Sequence, residues 1–174
     1  MLTAEEIDQL TLVKYPDPVL AETAKPIEKL DTWVEQLAQK MIQLMHEFRG
    51  VGLAGNQVGL ALAIFTYNPS GEEGDDHALI NPEIVDEEGW AEAEEGCLSL
   101  PEIYGKVRRR QRVILEATDL TGNRREIEAT DLTARIFQHE TDHLRGTLIV
   151  QRMSVVGKLA ARRQLKMMEE KAAD

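Results

Sequence analysis

His139-Glu140-Thr141-Asp142-His143 is the most chemically specific pattern in this 174-residue chain. Residues four apart on a helix differ by about 40° around its axis, so both imidazoles leave one face. Two ring nitrogens placed this way can reach one transition metal at about 2.0–2.1 Å. Glu140 sits one step round, within reach of a water at the metal yet off the metal itself. The spacing therefore supplies two ligands and a general base. Ile136 and Leu144 flank the motif and predict a buried helix face, where unsatisfied imidazoles would carry a desolvation penalty.

A catalytic metal needs three protein ligands and one open position. Two sources of the third ligand stand in the sequence. Glu169 and Glu170 lie downstream, as in a zinc endopeptidase, but on a terminal segment rich in basic residues. Cys97 lies upstream in Glu94-Glu95-Gly96-Cys97-Leu98-Ser99-Leu100-Pro101 and is the only thiol. A thiolate is a good ligand for a divalent transition metal, and coordination keeps it deprotonated. A lone cysteine can equally be a small buried hydrophobe, although Gly96 and Pro101 imply a special backbone path around it. A third segment, Gly50-Val51-Gly52-Leu53-Ala54-Gly55-Asn56-Gln57, sets glycines at close intervals and a polar Gln57 in an apolar run. Such glycines let another chain approach the backbone. The segment lacks the Lys-Ser/Thr ending of a phosphate-binding loop.

The elements that must position these residues follow from periodicity. Asp31 is a good N-cap, and Val34, Leu37, Met41, Leu44, Met45 and Phe48 recur at three- and four-residue steps up to Gly50, which predicts a helix. Helix is not expected across the glycines of 50–59. Strands are expected at Leu60–Tyr67, at Ala78–Val85 with Asn81-Pro82 at an edge or bulge, and at 89–94, 103–109, 112–118 and 124–129. The polar stretch 70–77 reads as the most mobile loop. Asp131 is expected to cap the motif helix, which ends at Gly146. A short strand is expected at Thr147–Val150 and a helix at Val155–Lys171. With too few helices between strands for parallel crossovers, the order predicts an α+β fold. Its sheets would be mainly antiparallel and packed around a central helix bearing the H-E-x-x-H motif, with a C-terminal helix added.

Length, composition and charge set the frame. With 174 residues and 43% apolar content, one globular domain over 1–174 is expected, with 154–174 as its C-terminal helix. The net charge of −11 argues against a broad nucleic-acid surface, and DNA is not an expected partner. No run approaches the ~18 apolar residues of a membrane span. The first ten residues carry Glu5, Glu6 and Asp8 where a signal peptide would be basic and then apolar, so a cytoplasmic protein is expected. One cysteine allows no internal disulfide and suits a reducing compartment. The glutamates of 87–95 read as a solvated face that pairs with Arg108, Arg109, Arg110 and Arg112, with Glu95 set apart by its place beside the metal segment. Trp33 and Trp90 read as core or half-buried, and His46 and His77 carry no pattern.

Together, GVGLAGNQ at 50–57, EGCLS at 95–99 and QHETDHL at 138–144 resemble the three hallmark motifs of the peptide deformylases, in the same order. The likeness extends over about residues 10–153. The resemblance implies that Cys97, His139 and His143 hold one metal, with Fe(II) in the cell and Zn, Ni or Co as alternatives in purified protein. It implies that Glu140 is the general base and acid, and that Gln57 and the Leu98 N–H stabilise the oxyanion. Gly52 would bind the substrate backbone, while Val51, Leu132 and Ile136 would form the methionine pocket. The implied substrate is the N-formylmethionine of a newly made polypeptide, and formate is released by a monomeric enzyme. The basic C-terminal helix, with Lys158, Arg162, Arg163, Lys166 and Lys171, offers a contact to the ribosome. The chain departs from the family pattern at Gly55, Asn56, Tyr104 and Gln151, none of which is in the catalytic set.

Overall fold

The structure is a computed structural model that describes residues 1–173. Its first helix, α1 (Ala4–Asp8), is closed by a reciprocal pair in which the Thr3 hydroxyl accepts from the Glu6 N–H and the Glu6 carboxylate accepts from the Thr3 N–H. The next, α2 (Thr32–Glu47), forms where its spacing predicts. Val34, Leu37, Ala38, Met41, Leu44 and Met45 are all buried on one face, and Asp31 is the N-cap. That face packs on Leu53, Val58, Ile64 and Ile80 to make the first of three apolar clusters.

Seven strands follow: β1 (Gly52–Ala54), β2 (Ile64–Tyr67), β3 (His77–Glu88), β4 (Ala91–Cys97), β5 (Leu100–Arg109), β6 (Arg112–Thr118) and β7 (Arg124–Thr130). Five make one antiparallel sheet in the order β1–β2–β3–β6–β7, and β4–β5 make a separate antiparallel pair. The alternation predicted around Val113, Leu115 and Ala117 is realised, since all three are buried and the intervening residues half-buried. The motif helix α3 (Asp131–Leu144) lies across the large sheet and shares the second cluster with Phe65, Tyr67, Leu79, Val113 and Leu115. After it come α4 (Ile149–Arg152) and α5 (Val155–Ala173), which pack on β5 in the third cluster. The fold is α+β, with mainly antiparallel sheets around the central motif helix.

Local departures from the sequence expectations have physical reasons. Residues 147–150 do not form a strand. The Gln151 carboxamide accepts the Leu148 N–H at 2.6 Å and starts the single turn of α4, while Leu148 and Ile149 bury their β-prone side chains. Only the second half of 60–67 is strand, because the backbone before it bonds elsewhere: the Leu60 N–H donates to Gly55, and Lys25 exchanges hydrogen bonds with Ala61 and Ala63. The glycine segment holds β1 and one 3-10 turn, Gly55–Val58, where no helix was expected. Asn81-Pro82 does lie at a bulge, the register shift between β3 and β6, one of the two placements expected for it. Thr130, not Asp131, is the N-cap of α3. In the loop at 68–76 the Asn68 carboxamide donates to the Glu72 carbonyl and to Asp76 and accepts from the Gly71 N–H. Trp90 is half exposed and lies against the guanidinium groups of Arg108 and Arg110, at 4.5 and 3.7 Å. His46 and His77 pair with Asp76 and Asp75.

The β4–β5 pair is fastened to α3 by buried charge. Arg109 Nε and Nη2 meet both Glu95 oxygens at 2.9 and 3.0 Å, and its Nη1 meets Asp142 at 2.6 Å. All three side chains are buried. Of the other arginines expected to pair with the glutamates, Arg110 meets Glu87 and Arg112 meets Asp86, Glu88 and Glu128, whereas Arg108 has no carboxylate partner among the described residues and lies over Trp90 instead. Removing one partner of a buried ion cluster strands the others without compensation. Arg109→Leu is therefore expected to lower the unfolding free energy by about 3–5 kcal/mol, read from urea denaturation; a loss within measurement scatter would contradict this role.

Candidate metal centre and active site

Helical spacing on α3 sets His139 and His143 one turn apart, with ring centroids 4.9 Å apart. Their Nε2 atoms face each other at 3.2 Å, and Cys97 Sγ stands 3.3 Å from His143 Nε2. The three donor atoms lie within 4.8 Å of one another. Nitrogen ligands about 2.0–2.1 Å from a tetrahedral ion lie roughly 3.3 Å apart, so this spacing suits one metal. Burial, with the nearby His139 and Arg109 charges, holds His143 well below the usual histidine range, which favours the neutral imidazole a metal requires. One thiolate and two imidazoles fit a divalent transition metal.

Cys97 reaches α3 because the β4–β5 register breaks between Gly96 and Cys97, turning the chain over Leu98 and Ser99. Glu169 and Glu170, the other possible ligands, lie elsewhere. Glu169 accepts a hydrogen bond from the Tyr15 hydroxyl, and Glu170 pairs with Lys166. Cys97, not a downstream carboxylate, completes the cluster.

The groups around the donors are held in fixed orientations. Glu95 Oε2 lies 3.1 Å from His139 Nδ1, while its Oε1 accepts from Arg109 and from Arg135 at 2.7 Å. Burial would raise the Glu95 carboxyl, but the hydrogen bonds from His139 and Arg109 outweigh it and hold the group well below the usual carboxylate range. An ionised Glu95 fixes the His139 ring, with Nε2 turned to the cluster. Gln57 is also oriented. Its Oε1 accepts the Ala54 N–H at 2.9 Å, which leaves Nε2 to face Ser99 Oγ at 3.2 Å and Cys97 Sγ at 3.6 Å.

Glu140 is buried, and its Oε2 has no hydrogen-bond partner among the described residues. Burial pushes its carboxyl up to about 7. It packs directly against Gly52, where any Cβ would collide with Oε1. This explains one glycine of the 50–57 segment as clearance for the carboxylate. The cleft lined by Gln57, Glu95, Cys97, His139 and Glu140 has a volume of about 650 Å³, and Val51, Gly52, Leu98, Leu132 and Ile136 also line it. Tyr104 lies over Gly96 at its mouth and is 67% exposed.

Ser99, Arg109 and Asp142 had no expected part here, and Glu95 was expected beside the metal segment as a partner for arginine, not as the group that orients His139. A signal for Arg109 was present, since it falls in the i, i+2 register of the inward-facing Ile103 and Val107. Glu95 likewise shares the strand face of Cys97. Nothing in the spacing marked Ser99.

Comparison with known proteins agrees with this geometry. A family model described as polypeptide deformylase matches residues 9–158. The chain is 39% identical to the peptide deformylase of Acidobacterium capsulatum over 91% of its own length and 94% of the relative's. It is 41% identical to the peptide deformylase of Rhodopirellula baltica, covering 85% of this chain and 75% of that one. Among solved structures, a plant peptide deformylase PDF1B superposes with a TM-score of 0.91 at 40% identity, covering 94% and 91% of the two chains. The enzyme from Legionella pneumophila gives 0.87 at 36% identity, covering 94% and 97%. A chain matched over this length by sequence and by fold belongs to the peptide deformylase family.

Proposed function

We propose that this protein removes the formyl group from the N-terminal formylmethionine of newly made polypeptides and releases formate. The observation that carries the reading is the meeting of Cys97, His139 and His143 at the wall of the cleft that Cys97, His139, Glu140 and Gln57 line. A divalent transition metal held by Cys97, His139 and His143 would polarise the formyl carbonyl and lower the pKa of a nearby water. Fe(II) is the ion of the cellular form in this reading, and Zn, Ni and Co suit the same donors.

The chain's own residues do the rest. β1 is an edge strand of the large sheet, so its outer side can receive an extended peptide at Gly52 as an added strand. Val51, Leu132 and Ile136 take the methionine side chain, with Val51 and Leu132 half exposed toward the cleft and Ile136 buried. Glu140 accepts a proton from water as the oxygen attacks the formyl carbon, then passes it to the departing amine nitrogen. Gln57 Nε2 and the backbone N–H of Leu98 donate to the carbonyl oxygen as its negative charge grows. Glu95 holds His139 in place throughout.

In this reading residues 1–174 are one monomeric, cytoplasmic catalytic domain, and no helix of the described residues is long and apolar enough to cross a membrane. α5 is bound loosely. Ala161 is its one buried residue, Leu165 and Met168 are partly covered, and Val155, Val156 and Leu159 are exposed. Lys158, Arg162 and Lys166 recur every four residues along one flank, a cationic row suited to ribosomal RNA.

Protein purified without oxygen and loaded with Fe(II) is expected to release formate from formyl-Met-Ala-Ser. Glu140→Gln should lower that rate by about 10²–10⁴ with metal content unchanged, and Cys97→Ala should lose the metal itself. Full activity in Glu140→Gln would contradict the assigned proton transfer. Replacing Lys158, Arg162 and Lys166 by glutamate should abolish salt-sensitive co-sedimentation with ribosomes; undiminished co-sedimentation would remove α5 as the contact.

A further inference from the structure

A second groove of about 520 Å³ lies beyond the active-site cleft, between the start of β5 and α5. Pro101 and Glu102 line both hollows, so the groove continues the cleft over a two-residue saddle. Glu102 has a positive φ of 64°, and its carboxylate is held by Gln164 Nε2 at 3.2 Å. The far wall is α5, which contributes Arg163, Gln164, Met167 and Lys171 at three- and four-residue steps. At about 100° per residue this flank lies on the other side of the helix from the row Lys158, Arg162 and Lys166. Arg163 and Lys171 are exposed and form no ion pair among the described residues, and Met167 is 45% exposed.

We infer that this groove binds the substrate polypeptide downstream of its formylated end and favours segments that carry acidic side chains. The inference rests on the deformylase reading of the cleft. A substrate anchored by its first residue must leave the cleft as extended chain, and the saddle at Pro101 and Glu102 leads onto α5. There it meets Arg163 and Lys171, neither paired among the described residues, beside an adaptable methionine surface. Glu102 keeps its charge while Gln164 donates to it, and Arg163 and Lys171 together outweigh it, so the groove's charged side chains sum to one positive charge toward the occupant. One family of peptides then has two contacts, a deep one that is chemical and a shallow one that adds affinity by tethering.

The test uses the full chain and two ten-residue formyl-Met peptides, one with glutamates at positions six to eight and one with serines there. Formate release is followed together with the fluorescence anisotropy of the same labelled peptides. The acidic peptide is expected to show kcat/KM about fivefold above the serine peptide, as roughly one exposed ion pair allows. Arg163→Glu should erase the difference and Arg163→Lys should keep it, with formyl-Met-Ala-Ser unchanged in all three proteins. Equal handling of the two long peptides by the unaltered protein, or a difference that survives Arg163→Glu, would overturn the inference. If even the tripeptide released no formate, the deformylase reading would fall, and anisotropy alone would decide whether the groove holds acidic peptide.

Discussion

The buried ion cluster of Glu95, Arg109 and Asp142 is the interaction on which the rest of this molecule depends. Cys97 belongs to a two-stranded sheet and the histidines to a helix packed on a different, five-stranded sheet. No backbone ladder joins these bodies at the site. Arg109 spans them, with both Glu95 oxygens on one side and Asp142 on the other. Arg152 then clamps Asp142 from α4, so the chain beyond the motif helix is fixed to the same charge. Buried ion pairs of this kind contribute little net stability but fix geometry, because any other arrangement leaves a buried charge alone. Here the geometry fixed is the distance from a sulfur to two nitrogens.

The same cluster separates the roles of the carboxylates. Glu95 is surrounded by Arg109, Arg135 and the His139 ring, so it stays ionised. Glu140, one residue from His139, faces the Gly52 backbone and has a free oxygen, and burial raises it. One carboxylate orients a ligand and the other is left able to carry a proton. The difference lies in their surroundings, since the two side chains are chemically identical.

Much of this was legible in the sequence, and the reason differs from part to part. The placement of His139, Glu140 and His143 beside one another follows from helical geometry, because residues four apart share a face. α2 and β6 were equally plain from their apolar periods. Cys97 was one of two possible third ligands in the sequence, and the structure sets its Sγ 3.3 Å from His143 Nε2 while Glu169 and Glu170 pair elsewhere. Gln57 stood out as polar in an apolar run, but its fixed orientation depends on Ala54 and Ser99, contacts that no spacing rule contains. Residues 147–150 misled because Thr, Ile and Val favour strands locally, whereas a single hydrogen bond from Leu148 to Gln151 and burial on β5 made a helical turn. Arg109 was counted among surface arginines, although its place in the inward register of β5 distinguished it from Arg108 and Arg110.

The most direct test of this account is X-ray absorption at the metal edge of anaerobically loaded protein, which reads the atoms around the ion. The account requires one sulfur shell at about 2.3 Å together with nitrogen or oxygen scatterers near 2.0–2.1 Å. A spectrum without sulfur would mean that Cys97 does not join the two histidines, and would contradict the assembly of the site from two separate sheets.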